Sequence, residues 1–194
     1  LELPFQYRGE EAHDVAPFLR RHHIGDEDAI RNWIRPFLKS GGTAKTLDFF
    51  YALSKSVPIA FQYNVREEPG VQSPGKTLNL RAGSCRDFAL LFMEAARLLG
   101  VAARYVSGYV CRADAGGAVA QASDSTHAWV ELYLPGAGWK GIDPTCGILA
   151  ADYHVRTAVT RTPEQAVPVG GTFGGTASDY LGMDVTVNAV REGE

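Results

Sequence analysis

The stretch Gly83-Ser84-Cys85-Arg86-Asp87-Phe88-Ala89-Leu90-Leu91-Phe92-Met93-Glu94-Ala95-Ala96-Arg97-Leu98-Leu99-Gly100 decides the fold. Ser84 is a helix-capping residue type, Asp87 stands three residues on as in a capping box, and Gly100 supplies a C-terminal stop. A helix is therefore predicted to begin at Cys85. Phe88, Leu91, Phe92, Ala95 and Leu99 recur at helical spacing, and Leu90, Met93 and Leu98 widen the apolar arc. Arg86, Asp87, Glu94 and Arg97 are left as a narrow polar stripe, so the helix is expected to be largely buried. The free amides and dipole at its start favour an anion, which raises the thiolate fraction of a cysteine placed there and can also hold an oxyanion. The competing reading is inert packing, because cysteine is among the most buried residue types.

Upstream of this helix, residues 26–40 and 43–57 carry apolar positions at helical spacing, with Asp26 and Thr43 as caps and Gly41-Gly42 between them. Ile59 to Val65 reads as a short strand, and the Pro69 to Gly75 stretch as a loop leading to the cysteine helix. Downstream, the period changes to two: residues 103–110 and 126–134 are predicted strands, separated by an Ala/Gly/Ser/Asp-rich loop over 113–125. Pro135-Gly136-Ala137-Gly138 makes a hairpin to Trp139–Asp143, and alternation over Met183–Asn188 suggests a closing strand. Helices first and antiparallel strands later indicate an α+β fold with the cysteine helix packed against the sheet.

With 194 residues the chain is expected to be one domain, spanning 1–194, with a helical N-terminal part over about 12–58 and a core over about 59–194. The net charge of −3, from 19 basic and 22 acidic residues, argues against a nucleic-acid partner or a polybasic membrane patch. A small or peptide-like substrate fits better. No apolar run reaches the roughly 18 residues of a membrane span, and the N-terminus lacks the pattern of a signal peptide, so the expected compartment is the cytoplasm. The start at Leu1-Glu2-Leu3-Pro4-Phe5, without methionine, reads as a piece of a longer protein. Cys85, Cys111 and Cys146 have no CxxC spacing, which favours reduced thiols. Neither GxGxxG, a P-loop nor HExxH occurs, so no metal and no cofactor is expected.

Alternation on the strand Thr126–Leu134 places His127, Trp129, Glu131 and Tyr133 on one face, opposite Ala128, Val130, Leu132 and Leu134. His13, His22, His23 and His154 come with no comparable motif. His127 is set apart by Asp143 on the neighbouring hairpin strand, a carboxylate that would orient the imidazole as a base. If Tyr133 pairs with Trp139, Asp143 falls opposite Trp129 on the face of His127. A slip of one residue sends it to the other face. The bland reading of Asp143 is an Asp-Pro turn.

Taken in order, Gly-Ser-Cys-Arg-Asp-Phe-Ala at 83–89, Leu99 to Tyr109, Thr126-His127-Ala128-Trp129-Val130-Glu131 and Gly141-Ile142-Asp143-Pro144-Thr145 closely resemble the bacterial transglutaminase-like superfamily. The matched motifs span about residues 61–147, the His154 to Gly175 tail also resembles the family's C-terminal region, and the resemblance implies a papain-like core, making 1–194 a transglutaminase-like domain. It implies Cys85 as nucleophile, His127 as general base and acid, and Asp143 as orienting carboxylate, acting through a thioester on a peptide or protein substrate with an amide acyl donor. Hydrolysis would make the chain a cysteine protease or amidase, and an amine acceptor a transglutaminase. Gln62 and Tyr63 are candidates for a second oxyanion donor beside the Cys85 amide, and Trp129 for shielding the site. Arg104 is read as an ion-pairing residue. Family members commonly carry a further N-terminal β-rich domain. Cys146 stands where a polar residue is expected and places a second thiol near the site. No EF-hand loop is present, so calcium dependence is not implied. The alternatives are a catalytically silent binding or scaffold module, arylamine-type acetyl transfer and, least favoured, thiol redox chemistry.

Overall fold

The computed structural model describes residues 1–39, 41–66, 68–112, 121–122, 126–167, 171–172, 174–182 and 186–187. In chain order its elements are β1 (Glu2–Leu3), α1 (Gly9–Val15), α2 (Glu27–Ile34), β2 (Ala44–Lys45), α3 (Thr46–Ala60), β3 (Gln62–Tyr63) and α4 (Pro74–Leu80). They continue with β4 (Ala82–Gly83), α5 (Cys85–Leu98), β5 (Ala103–Arg112), β6 (Gln121–Ala122), β7 (His127–Leu134), β8 (Gly138–Asp143), β9 (Ile148–Leu149) and β10 (His154–Thr160). The main sheet is antiparallel, in the order β10-β5-β7-β8-β9, with β6 paired to β5.

The cysteine helix forms as its sequence predicts. Asp87 Oδ2 reaches back to accept the Ser84 N–H at 2.8 Å and the Ser84 hydroxyl at 3.0 Å, and Gly100 follows the helix with φ +75°. α5 packs on β7 and β5, placing Leu91 and Phe92 among Phe50, Leu53, Val130 and Leu132 in one core. Burying each such side chain contributes about 1.5–3 kcal/mol. The polar stripe faces protein rather than water. Glu94 and Arg97 are buried and paired at 3.0 Å. Glu94 Oε2 accepts the N–H groups of His22 and His23, and the Arg97 guanidinium donates to the carbonyls of Phe18, Ala103 and Arg161. Burial pulls the pKa of Arg97 down while Glu94 opposes that shift.

Several local expectations are corrected. The helix expected over 26–40 stops at Ile34 and tightens to a 3-10 turn over Arg35–Phe37, since Pro36 has no N–H to continue the α ladder. Asp26 makes no cap hydrogen bond, and its carboxylate lies instead where a Cβ on Gly75 would stand. α3 begins at Thr46 rather than Thr43 because Ala44 and Lys45 pair with β1, and Thr46 donates through both N and Oγ1 to Leu1 O at 3.1 Å. It runs on to Ala60, so only Gln62–Tyr63 of the expected strand forms, parallel to β4. The expected 69–75 loop ends at Ser73, which caps α4 by accepting the Lys76 N–H at 3.2 Å. Within the expected 113–125 loop, Gln121–Ala122 pair with β5, and the rest lies outside the described residues, as do 183–185 and 188 of the expected closing strand.

The expected hairpin register is present: Tyr133 pairs with Trp139 and Val130 with Ile142. Gly108 on β5 sits between His127 on β7 and Arg156 on β10. A Cβ there would collide with Val155 O and come within 2.8 Å of Trp129 Cη2, so only glycine lets β10 and the indole close over this point.

Candidate active site

Three elements converge on one point. Cys85 opens α5, His127 opens β7 and Asp143 closes β8. His127 Nε2 lies 2.9 Å from Asp143 Oδ2, and the same imidazole interacts with the Cys85 side chain, which shares its cleft. Since Nε2 is committed to the carboxylate, Nδ1 is left for the sulfur. Asp143 is fully buried, and its second oxygen accepts the N–H groups of Thr145 at 2.9 Å and Cys146 at 3.2 Å.

Electrostatics follow from these contacts. Burial lowers the pKa of His127, but hydrogen bonds to Asp143 and Cys85 and the negative charge they carry outweigh it and push the imidazole up to about 9. Burial raises Asp143, and the hydrogen bonds of His127 and His154 overcome it, holding the carboxyl well below the usual range.

A cleft of about 490 Å³ opens onto Cys85 and His127. Arg66 and Val71 stand on one wall, Pro163 and Glu164 on another, and Tyr105 lines it as well. The wall carrying Arg66 is tied to the start of α5. Asp87 Oδ1 accepts Arg66 Nη1 at 2.8 Å and the Gln72 N–H at 2.7 Å, while Arg86 donates to the carbonyl of Arg66 at 2.8 Å.

Of the other candidates, Tyr63 lines the cleft beside Cys85 and interacts with it. Burial, then the charge and hydrogen bond of Cys85, raise the Tyr63 pKa, which keeps the phenol protonated as a donor. Gln62 is exposed and outside the cleft lining, and its backbone N–H is spent on Arg81 O at 2.8 Å. Trp129 is fully buried behind the site, stacked on His127 with centroids 6.2 Å apart, and does not reach the cleft wall. Arg104 pairs with Glu131 at 2.6 Å and lies 4.0 Å over the Trp139 ring, remote from the cleft lining.

One participant was passed over in the sequence. His154 Nε2 lies 3.2 Å from the same Asp143 oxygen that binds His127. Its neighbour Asp152-Tyr153 carries no motif, and only the pairing of β10 with β5 brings it here. His127, Asp143 and His154 have donor atoms within 4.8 Å of one another, the one such cluster among the described residues. The hydrogen bonds between them already occupy those atoms.

A buried helix opened by cysteine, against an antiparallel sheet carrying histidine and aspartate on adjacent strands, defines a transglutaminase-like α+β protein. The model of the transglutaminase-like superfamily matches residues 32–144, and the chain belongs to that superfamily. An uncharacterized protein of Mycobacterium leprae is 30% identical over 123 residues, 63% of this chain and 43% of that protein. One of Mycobacterium tuberculosis is 29% identical over 169 residues, 84% of this chain and 52% of its own length. The chain thus spans about half the length of these relatives. Among solved structures, a "Putative Cysteine Protease from Cytophaga hutchinsonii" is 25% identical with TM-score 0.62, over 79% of this chain and 49% of that one. The periplasmic domain of TgpA from Pseudomonas aeruginosa shares the fold at 20% identity and TM-score 0.52, over 70% and 48% of the two chains. Among the described residues no helix is long and apolar enough to cross a membrane.

Proposed function

We propose that this chain carries a cysteine-dependent acyl-transfer site in which Cys85 is the nucleophile, His127 the general base and acid, and Asp143 the orienting carboxylate. The observation that carries the reading is the His127 Nε2–Asp143 Oδ2 hydrogen bond at 2.9 Å, with the imidazole interacting with the Cys85 side chain and both residues lining one cleft. His127 takes the thiol proton on Nδ1. The thiolate attacks an amide carbonyl, forming the C–S bond as the carbonyl electron pair moves to oxygen. The Cys85 N–H, free of any intrahelical partner as the first helical residue, and the Tyr63 hydroxyl receive that oxyanion. Collapse breaks the C–N bond, and the amine leaves with the Nδ1 proton. Water then gives a proton to Nδ1 and its oxygen to the thioester carbon, releasing acid and thiolate; an amine in its place gives transamidation. A peptide or protein is the substrate class that an open cleft of this size accommodates. We favour hydrolysis, since water needs no acceptor site of its own.

The test is alkylation of Cys85 by iodoacetamide across pH, read by mass spectrometry, in the full-length protein and its His127→Ala variant. Cys111 and Cys146 serve as internal controls. Labelling of Cys85 at pH 6 that outpaces both controls, slows in the variant, and is joined by a hydroxylamine-sensitive acyl adduct on Cys85 after incubation with amide peptides is the expected result. Labelling indifferent to His127, with no adduct, would overturn the proposal in favour of a silent binding module.

A further inference from the structure

We infer that His154 is a positioning residue of this site: fixed in the Nε2–H tautomer, it shares one oxygen of Asp143 with His127 and thereby limits how tightly the carboxylate grips the His127 imidazolium. The inference rests on the triad proposed above.

The tautomer follows from hydrogen bonding. Ala151 N–H donates to His154 Nδ1 at 3.3 Å, so that nitrogen presents its lone pair and the ring proton sits on Nε2. Nε2–H then donates to Asp143 Oδ2 at 3.2 Å. The backbone locks this arrangement in the opposite sense, because His154 N–H donates to Ala151 O at 2.8 Å. The ring cannot swing away. Its side chain is 1% exposed and is held edge-on to Trp129 at 5.0 Å and against Tyr153 at 4.7 Å. It lies off the cleft wall, so it acts through Asp143 and not on substrate.

Asp143 thus accepts four donors: two backbone amides on Oδ1 and two imidazoles on Oδ2. The amides orient the carboxylate without His154. What His154 adds is competition for Oδ2, the oxygen that stabilises imidazolium at His127. Catalysis of the proposed kind needs His127 to exist in both forms, as acid in the first half-reaction and as base in the second. A carboxylate devoted entirely to His127 would favour the charged form and slow the second half. The other ionisable groups around the pair are Cys85 on α5, Cys146 beside Asp143, Tyr153 against the His154 ring, Tyr63 and Tyr105 beside the sulfur, and Arg66, Arg86 and Glu164 on the cleft. Glu131, on the same face of β7, is already neutralised by Arg104 and Arg156.

The experiment is nitrogen-15 NMR of the histidine rings in the full-length protein, with His154→Leu, which fills the space without a donor, and His154→Gln, whose amide restores one. In the wild type His154 is expected as the Nε2–H tautomer. His154→Leu should raise the His127 titration midpoint by about half a unit to one unit, the size of one ordinary hydrogen bond, and move the alkaline limb of acyl transfer with it. His154→Gln should return both toward wild type. An Nδ1–H tautomer, or an unmoved midpoint in a folded His154→Leu protein, would overturn the inference. Should His154→Leu not fold, the wild-type tautomer decides alone, Nε2–H upholding the inference and Nδ1–H overturning it. The tautomer and the His127 midpoint need no turnover, so they separate failure of this inference from failure of the triad, which the Cys85 labelling reports.

Discussion

His127 links the site to the stability of the whole chain. Its folded pKa of about 9 lies above the ordinary 6.5. Below pH 6.5 both folded and unfolded chains hold the proton and the stabilisation is fully present; it is lost as pH climbs from 6.5 through 9. The loss is on the order of 3 kcal/mol. Asp143 has the opposite sign, because its pKa is depressed: its contribution is present above about pH 4 and disappears as pH falls below that. Urea midpoints measured between pH 6 and 9.5 should therefore fall for the wild type and stay flatter for His127→Gln; equal slopes would contradict the assignment. Tyr63 allows a cleaner test of chemistry, since it is half-exposed and little of the fold depends on it. Tyr63→Phe is expected to lower kcat by about 100-fold with KM and melting temperature unchanged, the result that the proposed oxyanion role requires. Gln62→Ala should leave kcat as it is.

Among the elements, α5 shows both what the sequence reveals and what it hides. Cys85, its cap and its stop are local signals, and hairpin register follows from a short turn and alternation, so the line from Cys85 to Asp143 could be drawn before any coordinates. Glu94 and Arg97 could not be placed, because helical periodicity assigns charged positions to solvent. Their partners are backbone groups of residues 18, 22, 23, 103 and 161, all outside the helix. His154 stayed hidden for the same reason: its meaning arises only when β10 folds back on β5. The buried pair carries a prediction. Glu94→Ala leaves the Arg97 charge uncompensated in the core and should cost about 3–5 kcal/mol, read as a drop in urea midpoint. Gly108→Ala should also destabilise the chain, by forcing Trp129 and β10 apart, and a crystal structure or near-UV dichroism of the variant would show the displaced indole.

Across the molecule, the site joins parts that are far apart in the chain, and the cleft wall depends on one buried carboxylate. Asp87 holds Arg66 and Gln72 against the first turn of α5. Asp87→Asn should therefore speed hydrogen exchange in peptides covering residues 68–73 while exchange in β7 stays slow; unchanged exchange at 68–73 would show that the wall stands by itself. The buried position of Trp129 has a further use. Its indole lies 6.2 Å from the His127 ring and 5.0 Å from that of His154, centroid to centroid. An imidazolium quenches indole fluorescence by accepting an electron from the excited ring, whereas neutral imidazole does so weakly. With Trp33 and Trp139 replaced by Phe, the emission of Trp129 alone becomes an optical gauge of charge at the site. In a pH titration it would report the protonation of these imidazoles without a label and before any substrate has been identified.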